Sequence, residues 1–396
     1  MVSSAASGDK SGGSLRVTIL TNYFPPEGGS GSRLVGQFAR YLATRGDAVD
    51  VYCPQPSYHV SHDQIPAGIR IHRRLAPLPT QLPHRLRRGL EHLVRPLLLA
   101  AATGASPDVI YVWLPPPALV PAAILLGRRL RCPVVMHVQD LFPFNALDTG
   151  ALHSTTLANA MERLLRPLYC RAREVVVHAP SAVSYFAGLG VPCRHLPNWV
   201  DVPPGPPAPP TLGRPLHLVF AGVMGLAQGL HSILEAATQL RQDSRFRFTF
   251  AGDGVRRPEI EQEVARRQIT NVTLQPMLQP DAYRRLVADA DIFLVSLAPT
   301  IKYPVIPSKI GDAMAAGRPI IAALPEGDAA DLLRISGAGL VVPPGYGSML
   351  AQAIQELADN PERLSAMGHA GYRYAQTHMA TAVVLPQLRE ILLGRQ

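Results

Sequence analysis

Between Asp201 and Thr211 the chain reads DVPPGPPAPPT, and seven of these eleven residues are Pro or Gly. Such a stretch makes neither a helix nor a central strand, because proline fixes φ and lacks the amide donor that both require. It is stiff and extended, so it is expected to join two units. Short apolar runs alternate with helix-capable segments before it, and the alternation restarts after it. At 396 residues the chain is too long for one ordinary core and suits two.

Before the Pro-rich stretch, strands are expected at Arg16–Asn22, Val49–Cys53, Asp108–Leu114, Pro133–Asp140 and Glu174–His178. Ser32–Arg45 carries Leu34, Val35, Phe38, Ala39 and Leu42 on one helical face. After it, strands are expected at Leu216–Ala221, Phe246–Ala251, Val272–Gln275, Ile292–Leu297, Pro319–Ala323 and Gly339–Val342. Strand–helix alternation of this kind predicts an α/β chain with parallel sheets covered on both faces. The expected division is a lead-in over 1–15, one Rossmann-like unit over 16–200, a linker over 201–212, a second unit over 213–375 and a closing helix over 376–396. Ligands are expected in the cleft between the units, at the carboxyl ends of the strands.

Apolar residues make up 47% of the chain and charged residues 17%, so there is ample material to bury. The formal charge of +9 favours an anionic partner, a nucleotide diphosphate or lipid head groups. Nucleic acid is not expected: the basic residues are scattered and no recognition signature accompanies them. Cys53, Cys132, Cys170 and Cys193 form no CxxC pair, which argues against a zinc site or a disulfide framework and fits a reducing cytoplasm. The polar start MVSSAASGDKSGGS lacks an apolar signal core, and no run of 18 apolar residues exists.

Five segments carry the chemistry. Tyr23–Ser32 contains Glu27, Gly28, Gly29 and Gly31 ahead of a helix, where glycine backbone and free amides suit an anion, although a plain turn is the alternative. His137 and Asp140 sit at a strand's carboxyl end. Asp140 is a candidate to orient or deprotonate an acceptor hydroxyl and His137 to share that work; a core histidine and a helix cap are the plainer readings. Gly222, Gly225 and Gln228 lie on a Gly-rich turn that opens a helix, and Asp253 lies in AGDG at another strand end. Pro307–Pro319, PSKIGDAMAAGRP, is the most specific of the five. Ser308 is a candidate helix cap. Lys309 falls in the first turn, where the helix macrodipole disfavours a cation unless an anion is nearby. Asp312 is about one turn further and shares its face. A lysine for phosphate and a carboxylate for hydroxyls make a nucleotide-sugar grip. Neither Gly-rich turn completes GxGxxG, since Leu34 and Arg257 occupy the last position, so a nicotinamide enzyme is disfavoured.

Together TNYFPPEGG, VQDLFP, LPNWVD, FAGVMGLAQGL, AGDG and PSKIGDAMAAGRPII resemble retaining glycosyltransferases of family 4, nearest the branch of N-acetylfucosaminyl and related amino-sugar transferases. The resemblance runs from about Arg16 to the C-terminus. It implies the GT-B fold, an acceptor on the first unit, a UDP-sugar co-substrate on the second, no bound metal or other cofactor, retention of configuration, and polysaccharide or natural-product assembly. It also implies that the last helices return to the first unit. The chain departs from the wider family where Val223 and Gln228 replace usual cations, where Pro304 replaces one of two paired acids, and where Gly327-Asp328 replaces Gly-Glu. Lys309 and Asp312 thereby carry more of the expected donor recognition, with Asp328 beside them. The departures also leave room for a non-catalytic sugar-nucleotide-binding subunit.

Leu82–Ala102 spaces Leu82, Leu86, Leu90, Leu93 and Leu97 along one face, with Arg85, Arg87, Arg88 and Arg95 between. This reads equally as a basic amphipathic helix on anionic lipid and as a helix packed on the first unit. The first reading suits a lipid-linked acceptor at the inner face of the membrane, the second a soluble saccharide.

Overall fold

The computed structural model describes residues 14–55, 68–73, 106–205 and 214–395. The expectations for 1–13, for Leu82–Ala102 and for 206–213 of the Pro-rich stretch lie outside the described residues. Two wholly parallel sheets organise the rest. The first comprises β1 (Arg16–Thr21), β2 (Ala48–Cys53), β3 (Ile69–Arg73), β4 (Val109–Leu114), β5 (Val134–Val138), β6 (Glu174–Val177) and β7 (Cys193–His195), in the order β3-β2-β1-β4-β5-β6-β7. The second comprises β8 (Leu216–Ala221), β9 (Phe246–Ala251), β10 (Val272–Gln275), β11 (Ile292–Ser296), β12 (Ile320–Ala323) and β13 (Gly339–Val342), in the order β10-β9-β8-β11-β12-β13. In each sheet the order reverses beside the first strand, between β1 and β4 and between β8 and β11. Loops leaving those strands face a crevice, which is where open α/β sheets bind ligands.

Two strands were not expected from the sequence. The apolar positions of β3, IRIHR, alternate with charge, and its pairing is helped by Asp50 of β2, which accepts from Arg70 at 2.8 and 2.6 Å and meets His72 at 2.8 Å. The three-residue β7 is an edge too short to leave a pattern.

Helices α1 (Ser30–Thr44), α2 (Leu119–Leu130), α3 (Phe144–Asp148), α4 (Thr155–Tyr169) and α5 (Ser181–Gly188) accompany the first sheet. Helices α6 (Leu230–Gln239), α7 (Arg257–Arg266), α8 (Pro280–Asp289), α9 (Ser308–Ala315), α10 (Asp328–Ser336), α11 (Gly347–Ala358) and α12 (Pro361–Tyr374) accompany the second. The apolar face read from Leu34 to Leu42 is buried on α1, against Val17, Ile19, Val49 and Val51. After a π turn over Ala375–Met379, α13 (Thr381–Leu393) leaves the second unit. Its Val384, Leu385, Leu388, Ile391 and Leu392 join the core of the first sheet. Arg389 donates to Asp47 through two bonds of 2.7 and 2.8 Å, and Arg173 reaches the carbonyls of Ile391 and Leu392 at 2.5 and 2.8 Å. The last helix therefore packs on the first unit.

Candidate active site

The turn after β8 and the turn after β9 are built against each other. A Cβ on Gly252 would lie 1.9 Å from the Gly222 carbonyl oxygen, and one on Gly254 2.5 Å from that of Met224. The Met224 amide donates to the Asp253 carbonyl at 2.8 Å, and the Gly254 amide to the Asp253 carboxylate at 2.7 Å. Gly252 and Gly254 thus serve loop packing. Asp253 organises its own turn. Gly222, at φ 129°, and Gly225 lie on the turn that leads into α6, and Gly229 closes that turn against the Leu297 carbonyl. Val223 is 56% exposed on the same turn.

Lys309 comes up to this turn from α9. Only 9% of it is exposed. Its Nζ sits 3.9 Å above the centre of the Phe220 ring, donates to Gln228 Oε1 at 3.3 Å, and lies 3.2 Å from where a Gly222 Cβ would be. Burial pushes the ammonium down to about 7, against the opposing pull of Asp312. Ser308 does not cap α9. Pro307 precedes the helix, Ser308 is its first residue, and no side chain caps it. A proline here leaves the first amides of α9 without a side-chain acceptor, a local electropositive end.

Asp312 spans the cleft. Its Oδ1 accepts from Arg33 of α1 at 2.9 Å and its Oδ2 from the Tyr283 hydroxyl at 3.0 Å. Asp328 does likewise at another point. Its carboxylate accepts from the Ser181 amide at 3.0 Å and from the Ser181 hydroxyl, so it caps α5 of the opposite unit. Asp148 accepts from the amides of Lys302 and Tyr303, and His178 Nε2 accepts from the Ile306 amide at 3.3 Å. Two residues expected to meet the donor therefore also tie the units together. The sequence pattern marks none of Tyr283, His178, Ser181 or Asp148 as a site residue. Arg33 did leave a signal, the same one as Lys309: a cation in a first helical turn.

On the first unit, Asp140 lies just past β5, and no described residue hydrogen-bonds its carboxylate. Burial raises it above the usual carboxylate range. The Tyr303 phenol of the second unit is raised by burial first and then by Asp140. His137 is a correction. It is 0% exposed, its Nδ1 meets the Tyr111 hydroxyl at 2.7 Å, and Trp113 packs with ring centres 4.7 Å apart. Burial first, and then His178, hold it down to about 3, so it stays neutral and enclosed where the sequence allowed a partner to Asp140. In the β1–α1 loop, Glu27 is buried, Gly29 takes φ 111°, and a Cβ on Gly31 would come within 3.4 Å of Trp113 Nε1. Among the described residues no group of His, Cys, Asp and Glu is placed to hold a metal ion.

Residues 28–199 match the family described as Glycosyl transferase 4-like domain, and residues 215–360 match Glycosyl transferases group 1. The chain is a glycosyltransferase of the GT-B fold. It is similar to the probable glycosyltransferase WbjE of Pseudomonas aeruginosa, 26% identical over 69% of this chain and 72% of that protein. It is 26% identical to the alpha-D-kanosaminyltransferase of Streptomyces kanamyceticus over 38% of each chain. Among solved structures, HepE of Anabaena, in complex with UDP and glucose, superposes with a TM-score of 0.72 at 16% identity, over 96% of this chain and 100% of that one. The two matched segments fall one on each sheet, and the transferase's cleft lies between them.

Proposed function

We propose that this glycosyltransferase moves a sugar, an N-acetylated or amino hexose, from a UDP-sugar to a saccharide, lipid-linked or small-molecule acceptor with retention of configuration. The observation that carries the reading is Lys309: a buried ammonium, with Gln228 as its hydrogen-bond acceptor, at the open start of α9 and beside the Gly222 turn. A desolvated cation there favours an anion strongly, because the low local dielectric magnifies the attraction. In this reading Lys309 and the amides of the Gly222–Gln228 turn and of Ser308 hold the leaving diphosphate. Asp312 meets hydroxyls of the donor, and Asp140 orients the acceptor hydroxyl, its raised basicity helping to take the proton. Positioning and fixed dipoles supply the rate enhancement as charge develops on the leaving oxygen. No resident metal or cofactor is assigned a part, in keeping with the family resemblance. The kanosaminyltransferase relative supports an amino sugar, and the UDP complex of HepE supports the nucleotide.

Among the described residues no helix is long and apolar enough to cross a membrane. The reading places the protein in the cytoplasm, with 82–102 brought to an anionic inner leaflet if the acceptor is lipid-linked. The test is a thermal-shift screen of nucleotide sugars, since a ligand that binds only the folded state raises its stability with the logarithm of concentration over Kd. One or more UDP-sugars should raise Tm, and no response to any nucleotide sugar would overturn the reading.

A second reading, a non-catalytic sugar-nucleotide-binding subunit, is favoured by Pro304, Val223 and Gln228, where the resemblance leads one to expect an acid and two cations. It predicts nucleotide-sugar binding with no release of free diphosphate in the presence of any acceptor.

A further inference from the structure

In the donor reading the Gly222–Gln228 turn carries no cation of its own. Val223 and Gln228 occupy the positions where cations were expected, and the Gln228 carbonyl already accepts from Lys309. One ammonium is a weak match for a diphosphate. A second cation reaches α9 from across the cleft. Arg33 is the fourth residue of α1, in a first turn that contains no acid and no side-chain cap. The macrodipole disfavours a cation at that place, as it does Lys309 at the start of α9. The two cations share one carboxylate: Arg33 Nη2 is 2.9 Å from Asp312, and Asp312 is the charge that pulls on Lys309. Asp312 thus lies between the arginine of one unit and the lysine of the other. Asp201, exposed and held by Gln37, adds a more distant negative charge on Arg33. Among the described residues Arg33 forms its hydrogen bond through Nη2 alone, which leaves Nε and Nη1 for another acceptor. A guanidinium fork is matched to phosphate oxygens in a way that an ammonium is not.

We propose that Arg33 is the second cation of the donor site, bridging Asp312 and the donor's diphosphate so that the first unit contributes directly to holding the leaving group. The proposal rests on the nucleotide-sugar reading and adds a residue from the opposite unit to it. It makes donor binding depend on the two units facing each other, since Arg33 and Lys309 stand on different sides of the cleft.

The test is calorimetric titration of the full-length protein with UDP, GDP and dTDP, and with the nucleoside of whichever binds tightest. Arg33→Gln should weaken that diphosphate tenfold or more while changing the affinity of its nucleoside less than twofold. Arg33→Lys should recover part of the loss, because it keeps the charge but not the fork. Raising the salt concentration should weaken the diphosphate more steeply in wild type than in Arg33→Gln, because one phosphate contact has gone. Unchanged diphosphate affinity in Arg33→Gln would overturn the proposal and leave the donor reading standing. Equal weakening of diphosphate and nucleoside would overturn it too, in favour of a bridge that only shapes the cleft. If Arg33→Gln does not fold, Arg33→Lys decides: loss of diphosphate affinity equal to that of Lys309→Ala would contradict a role for charge at this position. Wild type binding none of the three diphosphates would overturn the donor reading and the proposal together.

Discussion

Among single residues, Lys309 is the one on which donor binding turns in the proposed function. Its ammonium is held near 7 by burial, so near neutral pH it lies close to the boundary between charged and neutral forms. A bound diphosphate stabilises the charged form and raises its pKa. Affinity is therefore greatest where Lys309 is already protonated, below about 7, and falls as pH rises from there towards the bound-state value. Titration of UDP between pH 7 and 9 should show affinity falling by up to about tenfold per pH unit with proton uptake on binding. Lys309→Ala should lower diphosphate affinity by roughly 10- to 100-fold, about what a charged hydrogen bond contributes, and should abolish the pH slope. A flat profile in wild type would show that the ammonium is not titrating against the ligand. Asp140→Asn should leave donor affinity unchanged and lower turnover by roughly 10²–10⁴-fold, the usual contribution of a positioned acid or base.

At the scale of elements, the interlocked turns after β8 and β9 position the donor side. The Gly222 carbonyl occupies the space a Cβ on Gly252 would need. Gly252→Ala should therefore push the Gly222 turn away from β9, costing on the order of 1–3 kcal/mol and displacing the amides proposed to meet phosphate. A measured Tm equal to wild type would contradict this packing. These elements also show what the sequence makes legible. Eleven strands were readable because each is a short apolar run bounded by turn residues. β3 was not, because its five residues hold only two apolar positions and part of its pairing to β2 comes from the cross-strand Arg70–Asp50–His72 cluster, which no linear pattern records. Lys309 was readable because a cation in a first helical turn is a local anomaly. The place of Ser308 was not, because helix entry is decided by the backbone at Pro307. His137 looked like a cleft residue because it lies on the last strand before the loop. The alternation of side chains along β5 instead sends it into the aromatic box of Tyr111, Trp113 and Trp199.

At the scale of the whole molecule, the two units are joined by α13 and, across the cleft, by polar contacts. Both ends of these contacts come from segments far apart in sequence, which is why Asp312 and Asp328 read as ligand residues before they read as ties. The α13 anchor is the firmer of the two. Asp47 is fully buried at the side chain and accepts both bonds from Arg389. Removing one partner of such a pair leaves an unpaired buried charge and typically costs about 3–5 kcal/mol. Arg389→Met should lower the urea midpoint accordingly while leaving the sequence of the cleft untouched. Denaturation indistinguishable from wild type would show that the Arg389–Asp47 pair adds nothing to the hold of α13 on the first unit.

In the proposed reaction the cleft breaks a nucleotide sugar with Lys309 on the leaving group. Its most direct measurement is release of free nucleoside diphosphate from a panel of nucleotide sugars, with and without saccharide and lipid-linked acceptors, in wild type and Lys309→Ala. Wild type should show acceptor-stimulated release from at least one UDP-sugar, and the folded variant at least tenfold less. Equal release by both proteins, or none by wild type with a nucleotide sugar shown to bind, would contradict it.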